Sequence, residues 1–341
     1  MLKINNILAT AIICWCLSGA NAAFGKDVGL VLAKFENSPQ AAVPENKKAI
    51  TNFEQGTNLY KQGDFKGAEA AFRKAIELEP KFIQAYIGLG NTLNELGKPQ
   101  EAIAQYQKAI SLDPKSAKAH YYLGNSFYVQ SNFPQAIAEY KQAINLDPQD
   151  AEAHYYLGNA FYALGKPPEA IAEYTTAIRL EPKNSASYNA LGNVFYAQGK
   201  LEEAIPQYQQ AISIDSQDAD AHYNLASAFY AQGKLAEAVA DYTEAIRLNP
   251  KHAQAYTGLG NAMDDRGKPQ EAIAHYKKAI SLVPDYAYAY YNLAITLGRE
   301  QQIEEAIVNF KKARELFQAE ENNEMVERID QLIQKINTQT N

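Results

Sequence analysis

Apolar residues after residue 49 recur at helical spacing, with polar residues filling the positions between them. In residues 151–184, His154, Leu157, Gly158 and Phe161 fall at i, i+3, i+4 and i+7, the stripe of one helix. Ala170, Ile171, Tyr174, Ala177 and Ile178 form the stripe of a second. Gly165 lies between the stripes and predicts a helix end, since glycine adopts the left-handed backbone that closes a helix without steric cost. Lys166-Pro167-Pro168 then predicts a helix start, and Pro182 stops the second helix because proline cannot continue the backbone hydrogen bonding.

This two-helix pattern returns every 34 residues. Prolines stand at Pro80, Pro114, Pro148, Pro182, Pro250 and Pro284, with Ser216 in the vacant slot. Leu-Gly-Asn comes into register at 89–91, 123–125, 157–159, 191–193 and 259–261. The period predicts eight units: 49–82, 83–116, 117–150, 151–184, 185–218, 219–252, 253–286 and 287–320. Small residues such as Gly158, Ala170 and Ala177 are expected where helix axes approach too closely for a larger side chain. One unit buries about eight apolar side chains at roughly 1.5–3 kcal/mol each, whereas ordering its backbone costs roughly 1–2 kcal/mol per residue. A lone unit is therefore unstable, and stacking on neighbours must supply the difference. The open ends need covers. Met325, Ile329, Leu332 and Ile336 keep an apolar stripe, and Glu324, Glu327, Arg328, Asp330, Gln331 and Lys335 make the other side polar. Residues 321–341 are therefore expected to form a capping helix and tail.

The pattern is carried in the fourth unit by Leu157, Gly158, Phe161, Ala170, Tyr174, Ala177 and Pro182, at positions 7, 8, 11, 20, 24, 27 and 32 of the unit. On these residues the chain resembles the tetratricopeptide repeat family over residues 49–320. Departures concentrate at the ends, with Asn52 and Gln55 in the first unit and Ala294 and Gln318 in the last. The resemblance implies an all-α fold, a right-handed superhelical solenoid of helix-turn-helix repeats closed by a C-terminal capping helix. It also implies that the first helices line a concave groove for another protein or peptide.

Residues 1–22 read as an export signal, with Lys3, an apolar stretch from Ile7 to Leu17, and small residues Ala20-Asn21-Ala22 at a cleavage site. Residues 23–48, with Pro39 and Pro44, read as a linker. The protein is expected to be exported to a periplasm, the exterior or a lumen, with no membrane span once the signal is cleaved. An uncleaved N-terminal anchor is the competing reading, against which the apolar run falls short of the roughly 20 residues of a spanning helix. Cys14 and Cys16 lie within the signal and leave the mature chain without a thiol. Lys+Arg 32 against Asp+Glu 39 gives a net charge of −7, which argues against nucleic acid as a partner, because affinity for a phosphate backbone comes from Lys and Arg.

Candidate chemistry is sparse. His120, His154 and His222 occupy position 4, where other units carry Tyr86, Tyr188, Tyr256 and Tyr290, and sites a whole helical pair apart cannot share a metal. Gly88-Leu89-Gly90 and Gly258-Leu259-Gly260 lie inside predicted helices with no preceding strand, which excludes a dinucleotide fingerprint. Neither a Ser-His-Asp order nor a carboxylate pair stands out, so no enzymatic activity, metal or cofactor is expected.

Positions 2, 5, 9 and 12 of each first helix share a face turned away from the stripe at positions 4, 7, 8 and 11. Position 9 carries Asn91, Asn125, Asn159, Asn193 and Asn261. Position 5 supplies Tyr121, Tyr155 and Tyr223, and position 12 supplies Tyr128, Tyr162, Tyr196 and Tyr230. An asparagine amide offers a donor and an acceptor, so a row of them can pair with the backbone of an extended peptide. Tyrosines add semi-rigid amphipathic contact area. Asp220, Asp264 and Asp265 make the last third of this face acidic and predict a partner whose basic end lies toward the sixth and seventh units. The chain thus reads as a non-enzymatic scaffold in the assembly of a protein complex. A self-associating structural subunit and a carbohydrate- or cell-wall-binding accessory are the other readings. The asparagines and tyrosines also have a plainer one, as residues that support packing in any such array.

Overall fold

The structure, a computed structural model, describes residues 46–339. The signal segment 1–22 and residues 23–45 of the linker lie outside the described residues. Among the described residues there are 17 helices and no strand. They fall into two units, 46–183 and 184–339. The first holds α1 (Lys47–Lys61), α2 (Phe65–Leu78), α3 (Ile83–Glu95), α4 (Pro99–Leu112), α5 (Ala117–Val129), α6 (Phe133–Leu146), α7 (Ala151–Ala163) and α8 (Pro167–Leu180). The second holds α9 (Ser185–Ala197), α10 (Leu201–Ile214), α11 (Ala219–Ala231), α12 (Leu235–Leu248), α13 (Ala253–Asp265), α14 (Pro269–Leu282), α15 (Ala287–Arg299), α16 (Ile303–Ala319) and α17 (Asn323–Gln339).

Local chemistry sets the helix ends. The Asp150 carboxylate accepts from the Glu152 and Ala153 amides at 3.0 and 3.1 Å and caps α7. At the other end Gly165 takes φ +68°, its amide donates to the Tyr162 carbonyl, and the Lys166 amide donates to Phe161, both at 2.9 Å. These two bonds satisfy carbonyls that the end of α7 would otherwise orphan. Pro167 then opens α8 at a position with no helical partner for an N–H. Asn46 accepts from the Lys48 and Ala49 amides, so Lys47 and Lys48 belong to α1 rather than to a linker.

Within each unit a first helix packs on its own second helix, and that second helix packs on the next first helix. Successive first helices also touch: α1 with α3, α3 with α5 and α5 with α7 in one unit, and α9 with α11, α11 with α13 and α13 with α15 in the other. Second helices make no comparable approach to one another. Each unit therefore curves with its first helices on the inner side.

The centre of most repeats is the ring at position 24. Tyr106, Tyr140, Tyr174, Tyr208 and Tyr276 are fully buried there. A glycine at position 8 makes room for each. A Cβ on Gly158 would stand 2.7 Å from the Tyr174 ring, and one on Gly260 would stand 2.5 Å from Tyr276. The expected intolerance of bulk at position 8 thus has a physical cause, a tyrosine ring pressed against bare backbone.

The C-terminal end is closed as a helical cap. Helix α16 has 17 residues where α14 has 14, because Gln318 stands where proline ends most other second helices. Helix α17 packs on α16 through Met325 and Ile329, both buried. Arg314 and Asp330 pair across that contact at 2.6 Å.

Candidate functional site

The asparagines of position 9 and the tyrosines of position 24 meet across the two helices of one repeat. The Tyr106, Tyr140 and Tyr174 hydroxyls donate to Oδ1 of Asn91, Asn125 and Asn159, each at 2.6 Å. Tyr208 donates to Asn193 at 2.9 Å and Tyr276 to Asn261 at 2.8 Å. In the sixth repeat Ser227 takes the asparagine's place, 3.1 Å from the Tyr242 hydroxyl. A buried hydroxyl needs a partner, and the amide oxygen is that partner. The acceptor half of each asparagine, expected to face a peptide, is therefore engaged inside the repeat. What an amide can retain for a ligand is its pair of Nδ2 hydrogens, and at Asn91 even Nδ2 is buried out of a ligand's reach. Asn91, Asn125 and Asn193 are buried, while Asn159 and Asn261 are half-buried.

The pairing had a signal in the sequence that reading helix faces one at a time misses. Asparagine stands at position 9 only where tyrosine stands at position 24, and the two terminal repeats, with Phe72 and Phe310, have Thr57 and Ile295 instead.

The tyrosines divide between packing and surface. Tyr121 is buried, 6.2 Å ring to ring from Tyr140, and burial pushes its phenol well above the ordinary range. Tyr155 and Tyr223 are half-buried and each rests 5.9 Å from the position-24 ring of its own repeat. Tyr128 is buried against Phe133. Tyr162, Tyr196 and Tyr230 are half-buried on the inner side.

The acidic stretch is more occupied than its sequence suggests. Asp264 is ion-paired with Arg299 and accepts from the Thr296 hydroxyl at 2.9 Å. Asp265 is exposed and accepts from the Tyr230 hydroxyl at 2.6 Å. Burial, and then Asp265, raise the Tyr230 pKa, so this phenol stays protonated and donating. Asp220 lies 3.2 Å from Nε2 of His252, a residue for which the sequence suggested no role. His252 is buried and caps α13, its Nδ1 accepting from the Ala255 amide at 3.3 Å.

The histidines of position 4 have partners on the second helix of their own repeat. His120 meets Glu139 at 2.7 Å, His154 meets Glu173 at 2.6 Å, and His222 meets Asp241 at 2.8 Å. The other edge of His120 lies 3.4 Å from the Pro114 carbonyl of the preceding repeat. Tyr86 and Tyr290 reach the same point in their repeats, donating to Pro80 and Pro284 at 3.2 Å. At Tyr86, His120 and Tyr290, position 4 thus ties one repeat to the proline that follows the second helix of the one before. Among the described residues no group of His, Cys, Asp and Glu could hold a metal ion, and no helix is long and apolar enough to cross a membrane.

The repeat geometry agrees with the comparisons. The family described as the cilia and flagella-associated protein 70 C-terminal domain matches residues 31–283, and a tetratricopeptide repeat family matches residues 275–308. The chain belongs to the tetratricopeptide repeat family. A tetratricopeptide repeat protein of Parabacteroides merdae is similar in structure with a TM-score of 0.57 at 20% identity, covering 74% of this chain and 100% of that one. PilF of Pseudomonas aeruginosa is similar with a TM-score of 0.55 at 21% identity, covering 61% of this chain and 94% of its own. In the hetero-tetramer of Cut9 and Hcn1 from the APC/C, the matching chain has a TM-score of 0.62 at 19% identity, covering 80% of this chain and 52% of that one. These likenesses show the fold. No curated protein matches the chain significantly. The tetratricopeptide architecture supports a scaffold for protein–protein interaction.

Proposed function

We propose that this tetratricopeptide repeat protein is an exported, non-enzymatic scaffold that holds an extended peptide or partner chain on the inner side of its first helices during assembly of a protein complex. The observation that carries the reading is the pinned asparagine row. Each Oδ1 is held by a tyrosine hydroxyl, which fixes the plane of the carboxamide and pre-orients the Nδ2 hydrogens before any ligand arrives. Pre-oriented donors at position 9 of three successive repeats, Asn125, Asn159 and Asn193, suit the carbonyls of an extended backbone, whatever its side chains. The half-buried rings of Tyr155 and Tyr162 add apolar contact beside them.

The test must remove the donors without unseating the tyrosines. Asn125→Ser and Asn159→Ser do so, because Ser227 already serves as the hydroxyl's partner in the sixth repeat. Affinity capture from the matching extract with wild-type chain and with the double serine variant, at equal thermal midpoints, is expected to show a specific partner lost from the variant. Equal capture by both would place binding elsewhere.

A further inference from the structure

The eighth repeat breaks the inner-side pattern at three places at once. Position 9 is Ile295, position 24 is Phe310, and position 12 is Gly298. Phe310 has no hydroxyl to donate, so an asparagine opposite it would have no partner there. With no ring at residue 298, the surface opens into a pocket of 460 Å³. Its apolar walls are Ile295, Gly298, Ile303 and Phe310 from α15 and α16, and Leu332 and Ile336 from α17. Helix α17 is seated by Met325 and Ile329, exposed by 2% and 0%, whereas Leu332 and Ile336 stay half-buried. The apolar stripe of the cap is therefore longer than the part that holds the cap in place.

Charge defines what would fill the pocket. Arg328 lies one helical turn before Leu332 and is exposed, its guanidinium 5.7 Å from the centre of the Tyr291 ring. That ring lies 6.0 Å from Phe310 in the pocket wall. Arg299, also in the wall, is already neutralised by Asp264, while Arg328 has no ion pair among the described residues. An apolar pocket beside an uncompensated guanidinium suits an apolar side chain followed closely by a carboxylate. Building on the scaffold reading, we infer that this pocket anchors a partner protein segment, with a Leu, Ile, Met or Phe side chain between α15 and α17 and a neighbouring Asp or Glu on Arg328.

The probe is a displayed library of random-sequence peptides panned on the full chain, followed by a synthetic copy of an enriched peptide. Enriched peptides are expected to share an apolar residue a few positions from an acidic one. Their affinity is expected to fall about tenfold or more on Gly298→Tyr, which fills the pocket. Arg328→Gln is expected to cost roughly three- to tenfold and to flatten the salt dependence. Gly298→Tyr restores a residue that other repeats carry at position 12, and a Cβ there meets only Ala306 at 3.9 Å, so its thermal midpoint should match the wild type. Enrichment without the paired motif, or equal affinity for Gly298→Tyr, overturns the proposal. Peptides that ignore Gly298→Tyr but are lost on Asn125→Ser with Asn159→Ser overturn the pocket and leave the scaffold reading standing. No enrichment overturns both, and binding of a fluorescent fatty acid in place of any peptide overturns the protein assignment of the pocket.

Discussion

The Tyr140 hydroxyl is buried and donates to Asn125, so removing that acceptor strands a polar atom at a cost of about 1–3 kcal/mol. Asn125→Ala is expected to lower stability by that amount in urea unfolding. Adding Tyr140→Phe removes the stranded group, and the double variant should be less destabilised than the two single changes summed. Thr57 with Phe72 and Ile295 with Phe310 are the natural forms of such a replacement. Additive losses would mean that the hydrogen bond contributes nothing. Which residues recur at position 9 was legible in the sequence, but the burial of Asn91, Asn125 and Asn193 there was not. The use of Oδ1 was not, because its partner lies 15 residues away on another helix. Nor was the Arg299 to Asp264 pair, which joins the first helices of neighbouring repeats.

Between elements, position 4 is a latch, and at His120 its strength depends on protonation. The His120 pKa is raised above its usual value, first by the hydrogen bond to Glu139 and further by its charge and the Pro114 carbonyl, with burial opposing. A base raised on folding stabilises the fold fully below its unfolded pKa, about 6.5, and loses that contribution as pH rises through the folded value. Thermal midpoints should therefore fall between mildly acidic and mildly alkaline pH by more in the wild type than in His120→Tyr with Glu139→Gln. That pair copies Tyr86 with Gln105 in the second repeat, which keeps the tie to the preceding proline without a titrating ring. Parallel pH profiles would remove His120 from the latch. Helix boundaries were the most legible level of this protein, because Gly165, Pro167 and Asp150 act on backbone groups within a few residues of themselves.

Across the whole molecule, an array of repeats leaves an apolar face wherever stacking stops, and α17 covers the C-terminal one. Burying Met325 and Ile329 stabilises by roughly 1.5–3 kcal/mol each. The Arg314 to Asp330 pair is exposed, so solvent screens it and it adds little. Apolar burial therefore holds the cap, and a chain ending at Glu320 should melt at lower temperature and elute from size-exclusion chromatography as a larger species. An unchanged midpoint and elution volume would show that α16 needs no cover. The sequence by itself determined the repeat length, the turns, the eight helix pairs and the need for a cap. Each of these follows from periodicity or from side chains acting on nearby backbone. Tertiary structure alone decided which face of each asparagine is spent on a tyrosine, which aspartate is neutralised, and where the inner side opens into the pocket at Gly298. Those outcomes depend on how neighbouring helices cross, and a 34-residue period copies residues without stating which of them will meet.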